Sequence, residues 1–332
     1  MIRHQHVDTN GIRMHVAEAG PPDGPAVVLC HGFPECWYSW RHQLAALGDA
    51  GYRVLAPDQR GYGTTDLPDG VDEFTQLHLV GDIVGLLDAS GVDTAVVVGH
   101  DWGAPVAWHS ALLRPDRFPA VAALSVHFGG VAPVPTPRTA PTTAMRAALG
   151  DAFLYILYFQ EPGVAERELD ADLRRTLGAI LYGLSGDLPR EEYRFFDPNA
   201  AGLFDVVNEL PGALPWLSSD DLDVFVESFA HHGTFRGGIN WYRNIDRNAE
   251  LLAPFAGKRI EQPALFIGAE HDSIFGQTEA SVLATRAAVP NLRDPLWVTG
   301  SGHWIQQERP DVVNDALLDF LRSLPNWGVA AG

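Results

Sequence analysis

Val96-Val97-Val98-Gly99-His100-Asp101-Trp102-Gly103-Ala104 runs an apolar, β-branched strand straight into a helical pattern, with a carboxylate at the junction. Gly99 and Gly103 flank Asp101 as glycines flank the serine of a G-x-S-x-G elbow. Lacking a Cβ, they let strand and helix approach closely enough for a sharp turn, which projects the central side chain over the sheet. The N-terminus of the following helix stabilises negative charge at that point.

Outward from this unit, short apolar runs recur at Ala26–Cys30, Arg53–Ala56, Ala95–Gly99, Val121–Val126, Ala264–Gly268 and Pro295–Thr299. Val- and Leu-rich runs without alternation suit strands of a parallel sheet covered on both faces. Ile12–Ala19 alternates instead and follows the turn signal Asn10-Gly11, as a half-buried strand does. Helical patterns lie between them at roughly Trp37–Ala50, Leu77–Ser90, Ala104–Leu113, Ser281–Ala288 and Asp311–Ser323. The alternation predicts an α/β fold: a mostly parallel, doubly wound sheet with helices on both faces. It breaks between about Pro133 and Arg247, where a Pro-rich start (VAPVPTPRTAPTT) gives way to helical, aromatic sequence. The predicted organisation is therefore a core of residues 1–132 and 248–332 with a helical cap of residues 133–247. A cap over a sheet edge encloses an apolar pocket and excludes water.

The chain has 332 residues, 23 Lys plus Arg against 42 Asp plus Glu, and a formal charge of −19. A hydrophobic fraction of 46% with 20% charged residues suits a packed core and argues against disorder. The charge argues against a nucleic-acid partner and against anionic membrane surfaces. Cys30 and Cys36 are too few to staple a secreted scaffold and lack metal-type spacing, so a reduced, cytoplasmic chain without a metal site is expected. The N-terminal MIRHQHVDTNGIRMH has no apolar signal core, and no apolar run reaches about 18 residues, so a soluble, unanchored protein is expected.

Partners for Asp101 follow in the chain order of nucleophile, acid and histidine. The strand Ala264–Gly268 leads into Ala269-Glu270-His271-Asp272, which puts Asp272 in the next loop with Glu270 as its competitor. The last strand leads into Gly300-Ser301-Gly302-His303-Trp304, with His303 in a glycine-flanked loop. The other twelve histidines, His31 and His100 among them, read as structural or supporting. His31-Gly32-Phe33-Pro34 follows the strand Ala26–Cys30, where enzymes of this architecture place part of an oxyanion hole. The backbone N–H groups of Phe33 and Trp102 would be its donors.

A carboxylate in place of serine restricts the chemistry. Serine attacking a saturated carbon would form an ether, which water does not cleave. Aspartate attacking the same carbon forms an alkyl ester, whose carbonyl a histidine-activated water can hydrolyse. The elbow therefore points to displacement at sp³ carbon, meaning epoxide opening or halide displacement.

HGFPECWYSW (His31–Trp40), DQRGYG (Asp58–Gly63), GHDWG (Gly99–Gly103), YFQEPGVAE (Tyr158–Glu166), NWYRN (Asn240–Asn244) and GSGHW (Gly300–Trp304) resemble the epoxide hydrolases of the α/β-hydrolase superfamily. The likeness is to the hydrolase half of soluble epoxide hydrolases and to single-domain bacterial relatives, and it spans essentially the whole chain. It implies Asp101 as nucleophile, His303 as general base and Asp272 as its orienting acid. It also implies two cap tyrosines that donate to the epoxide oxygen. NWYRN maps one onto Tyr242; the other is Tyr155 in the family pattern, with Tyr158 as the competitor one helical turn on. Phe33, Trp102, His127, Tyr158 and Trp304 are expected around the pocket. His127-Phe128 departs from the family pattern, since Pro or another apolar residue is expected there. His127 is either a rim histidine without a role, a determinant of substrate choice, or a counterpart of the halide-binding His-Trp of fluoroacetate dehalogenases, with Phe128 in place of the Trp.

The resemblance implies no cofactor. It implies a small-molecule epoxide and water as reaction partners, and a homodimer is compatible with it. A haloalkane or haloacid dehalogenase with the same Asp-His-Asp set is the competing enzyme, and the cap tyrosines separate the two. A hydrolase-fold receptor that binds without turnover is the non-enzymatic competitor, and an intact nucleophile, base and acid argue against it.

Overall fold

The computed structural model describes residues 1–132, 139–150, 152–193, 197, 199–272, 278–325 and 327. The expected start of the cap, at Pro133–Arg138, lies outside the described residues.

Eight strands form one sheet: β1 (Arg3–Thr9), β2 (Ile12–Ala19), β3 (Ala26–Cys30), β4 (Arg53–Pro57), β5 (Ala95–His100), β6 (Val121–Leu124), β7 (Ala264–Ala269) and β8 (Leu296–Val298). Their spatial order is β1-β2-β4-β3-β5-β6-β7-β8. The pairs β1/β2 and β2/β4 are antiparallel and all others are parallel. The α/β-hydrolase fold read from the sequence is thus the fold adopted.

Both faces of the parallel strands are buried, which explains why these runs show no alternation. Val28, Cys30, Val97, Ala123 and Phe266 enter one core with Leu79, Ile83 and Leu86 of α2 (Gln76–Ala89) and Val106 of α3 (Gly103–Leu113). The intervening residues Val27, Leu29, Val96, Val98 and Ile267 enter a second core. There they meet Leu44 and Leu47 of α1 (Arg41–Asp49) and Leu317 and Phe320 near the C-terminus.

Three sequence readings change. The helix expected over Trp37–Ala50 is split, with a 3₁₀ turn at Trp37–Trp40 before α1. The strand expected to reach Val126 ends at Leu124, because Ser125 takes a left-handed φ of 67°. Strand β1 was not expected; it is a mostly exposed edge strand (RHQHVDT), so burial imposes no hydrophobic pattern on it.

Between β6 and β7 the chain makes a helical excursion. Its helices are α4 (Pro141–Leu149), α5 (Tyr155–Tyr158), α6 (Val164–Leu169), α7 (Leu173–Gly183), α8 (Ser219–Ala230), α9 (Arg236–Arg243) and α10 (Ile245–Leu252). Beyond β7 follow α11 (Glu279–Ala288), α12 (Ile305–Glu308) and α13 (Pro310–Arg322). None of the described helices is long and apolar enough to cross a membrane. Cys30 and Cys36 are both buried free thiols.

At the junction of β5 and α3 the backbones approach too closely for a side chain. A Cβ on Gly103 would collide with the carbonyl of Cys30 on β3, and one on Gly99 with the carbonyl of Gly103. Gly103→Ala should therefore cost about 3 kcal/mol or more through overpacking. A melting temperature lowered by several degrees would show it, and an unchanged melting curve would mean the junction relaxes freely.

Candidate active site

The parallel register brings the C-terminal ends of β3, β5, β6, β7 and β8 level with one another. Cys30 pairs with Gly99, His100 with Leu124, Leu124 with Ile267, and Ala269 with Val298. The loops that leave these strands carry Phe33, Asp101, Asp272 and His303, residues up to 270 positions apart by number (303 − 33). The open edge of a parallel sheet at its strand C-termini is where such folds place ligands.

Asp101 sits on the elbow with φ 50°, a left-handed conformation that few side-chain-bearing residues adopt. Its Oδ1 accepts the N–H of Phe33 at 2.8 Å, and its Oδ2 lies 3.3 Å from Nε2 of His303. Gly32 has no Cβ because one would collide with the Asp101 side chain. Trp102, whose amide precedes α3, follows directly. On the far side of His303, Nδ1 lies 3.1 Å from Oδ2 of Asp272. Glu270, the alternative acid, instead accepts the N–H of Gly300 at 3.1 Å. Of the two acids, Asp272 is the one that contacts the His303 ring nitrogen Nδ1.

His303 is 1% exposed. Burial pushes its pKa down, but the Asp272 charge, with hydrogen bonds and charge from Asp101 as well, raises it to about 10. The ring rests as an imidazolium between two carboxylates.

Two tyrosines from the excursion face this group. Tyr155 and Tyr242 pack edge to face with centroids 5.6 Å apart, and Tyr242 also packs on Trp102 at 4.9 Å. Burial, with Asp101 nearby, raises both phenols, so they remain O–H donors through the neutral range. Their placement is built from the motif residues. Arg243 donates to both carboxylate oxygens of Glu166, at 2.7 and 3.0 Å, and to the carbonyl of Phe159 at 2.9 Å. Gln160 Nε2 donates to the carbonyl of Tyr242 at 3.1 Å. Helix α9 also seats on the Asp58–Gly63 loop, where a Cβ on Gly237 would collide with the carbonyl of Gly61.

Asp101, Tyr155 and Tyr242 line two adjoining lobes. The wider, about 170 Å³, is walled by Trp102, Pro105, Val126, Ile156 and Ile245. The narrower, about 20 Å³, is walled by Phe33, Phe159, Ile180, Leu184, Leu203 and His303. Apart from Asp101, His303, the two phenols and the Trp102 indole, the lining of both is apolar.

Three residues expected around the pocket line neither lobe. Tyr158 turns its hydroxyl to Glu168 and donates to Oε2 at 2.6 Å. Trp304 is fully buried, packs on His303 with centroids 4.8 Å apart and donates from Nε1 to the carbonyl of Leu181 at 2.7 Å. His127 leaves β6 past the Ser125 turn and stacks on Phe266 at 4.0 Å, with Nδ1 3.2 Å from Oγ1 of Thr285.

Behind the site lies a supporting layer in which the sequence reading had His100 but not its partner Glu35. His100 Nδ1 lies 2.8 Å from Oε2 of Glu35, and its Nε2 lies 2.8 Å from the carbonyl of His303. Burial pushes Glu35 up, but His100 pulls it down to about 2, and Gln306 and Gln307 donate to its Oε1. Glu35 within the apolar run Phe33–Trp40 was the available signal.

A family model described as alpha/beta hydrolase fold matches residues 25–310. Epoxide hydrolase A of Mycobacterium tuberculosis is 48% identical over 320 residues, covering 96% of this chain and 97% of that protein. Epoxide hydrolase 1 of Siraitia grosvenorii is 42% identical, with 97% and 98% covered. Among solved structures, epoxide hydrolase A from Mycobacterium thermoresistibile superposes with a TM-score of 0.89 at 46% identity, covering 98% of this chain and 99% of that one.

The charge arrangement has a direct test. In Asp101→Asn one of the two carboxylates that raise His303 is neutral, so the imidazole should titrate well below about 10. NMR of the His303 ring protons over pH reads this; an unmoved titration would mean Asp272 alone sets the value.

Proposed function

This chain belongs to the alpha/beta hydrolase fold family, among its epoxide hydrolases, and from that premise we propose that it converts epoxides to vicinal diols through an ester on Asp101. The observation that carries this reading is the pair of protonated phenols facing the elbow carboxylate across an apolar cavity. A strained ether leaves poorly as a bare alkoxide, and O–H donors neutralise the charge that develops on it. Halide needs no proton, so two phenols opposite the nucleophile favour an oxygen leaving group.

In the first half-reaction Oδ2 of Asp101 attacks an epoxide carbon, the C–O bond breaks, and a tyrosine proton passes to the oxygen. Oδ1, held by the Phe33 N–H, becomes the ester carbonyl oxygen. Esterification removes the Asp101 charge that helps hold the His303 proton. His303 then loses that proton, which restores the tyrosine, and becomes a base. In the second half-reaction His303 takes a proton from water, which adds to the Asp101 carbonyl carbon. The Phe33 and Trp102 N–H groups stabilise the oxyanion. Collapse breaks the acyl C–O bond, the departing diol oxygen takes the proton of the newly added hydroxyl, and the carboxylate–imidazolium pair is left with Asp272 holding the ring.

In this reading residues 133–247 are a cap on a core of residues 1–132 and 248–332, and the cap supplies both tyrosines. The apolar lobes suit a neutral epoxide, and the reaction needs only that and water. Neither nucleic acid nor a cofactor has a part in it, and the expected compartment is the cytoplasm.

Single turnover in ¹⁸O-water should give an unlabelled diol, because its new oxygen comes from Asp101; label in the first-turnover diol would rule out the ester. His303→Gln should accumulate the ester as a mass shift on the Asp101 peptide. Tyr155→Phe or Tyr242→Phe should slow ester formation about 10²-fold. Tyr158→Phe should stay within about twofold, as a residue bonded away from the cavity does. Release of bromide from 1-bromobutane without diol from styrene oxide would overturn the assignment.

A further inference from the structure

Glu308, at the end of α12, is a buried carboxylate five residues past His303 (308 − 303) that the proposed reaction does not use. It accepts three backbone N–H groups from two distant segments. Oε2 takes the N–H of Gly302 and that of Gly186, both at 2.9 Å, and Oε1 takes the N–H of Trp304 at 3.1 Å. Gly302 and Trp304 flank His303 on either side, while Gly186 belongs to the excursion, just after α7. One side chain thus ties the catalytic loop to the excursion.

The packing at this point is as restrictive as the bonding. A Cβ on Gly186 would lie 2.7 Å from the Gly302 nitrogen and 2.9 Å from Glu308 Oε2. A Cβ on Gly302 would collide with the Gly186 nitrogen and the Leu184 carbonyl. Two backbones approach here with no room for side chains, and the carboxylate fills the junction. Two further bonds run across the same seam: His303 N–H to the Leu184 carbonyl at 2.8 Å, and Trp304 Nε1 to the Leu181 carbonyl at 2.7 Å.

Burial is costly for such a group. It pushes the carboxyl up to about 7 against the pull of the Gly302, Gly186 and Trp304 N–H groups, with the Asp187 charge adding to the rise. An apolar side chain would avoid that cost but would leave three N–H groups without acceptors.

We propose that Glu308 is a positioning residue for the hydrolytic half-reaction, latching the Leu184–Gly186 segment of the excursion to the loop that carries His303. The consequence is selective. Asp101 and the tyrosines form the ester without a base, whereas hydrolysis depends on where Nε2 of His303 points. A loop released from the latch misdirects the base while leaving the nucleophile on its elbow.

The kinetic test rests on the epoxide-hydrolase reading, so it is paired with a measurement that does not. Glu308→Gln keeps the side-chain size but turns an amide donor toward either the Gly186/Gly302 pair or Trp304. Rapid mixing with styrene oxide should show ester hydrolysis slowed about tenfold or more, as for a catalytic group displaced by a fraction of an ångström, with ester formation nearly retained. Gly186→Ala, which keeps Glu308 but sets a Cβ 2.7 Å from the Gly302 nitrogen and 2.9 Å from Oε2 and so parts the two backbones, should reproduce that split. In both variants the downfield Nδ1 proton of His303, bonded to Asp272, should shift or broaden in the NMR spectrum. Equal slowing of both half-reactions would make Glu308 a general structural residue and overturn the proposal, as would unchanged kinetics with an unchanged His303 resonance. Should the wild-type protein form no ester with any epoxide, the reaction assigned to the site falls, and the His303 resonance alone decides the latch.

Discussion

An imidazolium buried between two carboxylates is the constraint on which the remaining structure depends. Asp101, His303 and Asp272 lie within 3.3 Å of one another along the chain of contacts, and each side chain is almost entirely removed from water. Such a group carries a net negative charge into the interior, where charge is expensive unless paired and hydrogen-bonded. The fold meets that requirement with backbone. The Phe33 N–H reaches Oδ1 of Asp101, and the N-terminus of α3 begins beside it. These donors come from loops after β3 and β5, and the other two charged groups from loops after β7 and β8. Only strands aligned in parallel, with their C-terminal ends level, deliver all four to one point.

The same requirement explains the second layer. A histidine between two carboxylates must not rotate, and its main chain is held as firmly as its ring. His100 reaches the His303 carbonyl, the Leu184 carbonyl takes its N–H, and the Trp304 ring packs nearly perpendicular to the imidazole. Asp58 plays a comparable part further out, taking the N–H of Trp37 at 2.8 Å and pairing with His15 at 2.7 Å below the loop on which α9 rests. The catalytic core and the excursion are therefore joined through backbone contacts at Gly61–Gly237 and Gly186–Gly302, and neither junction tolerates a side chain.

What could be read from the sequence follows from how locally each feature is encoded. The elbow is legible because strand, turn and helix occupy consecutive residues, and the glycines are needed within that short window. The parallel strands are legible because burial on both faces makes each run uniformly apolar. Strand β1 is not legible, since an exposed edge strand can be built from Arg, His and Gln. Asp272 and Glu270 are indistinguishable in the sequence, because two residues of loop decide which reaches Nδ1 of His303. Tyr155 and Tyr158 differ by less than one helical turn, and Glu168, ten positions beyond Tyr158, captures the hydroxyl that does not reach the cavity. The Glu35–His100 pair and the Glu308–Gly186 contact are hidden for a different reason: the partners lie 65 and 122 positions apart, and neither acid carries a spacing signal.

The choice of acid at the elbow also governs when the base becomes available. With serine at this position the nucleophile is neutral, and the neighbouring histidine must be unprotonated before attack so that it can accept the hydroxyl proton. With aspartate the nucleophile is already charged, and its charge helps hold the proton on His303 up to about pH 10. In the proposed reaction the histidine is inert as a base while the epoxide is attacked, and no activated water competes for the substrate. Ester formation cancels the Asp101 charge, and only then does the imidazole release its proton and activate water, next to the carbonyl that has just formed. In that reaction the electrostatics of one residue pair sets the order of the two half-reactions.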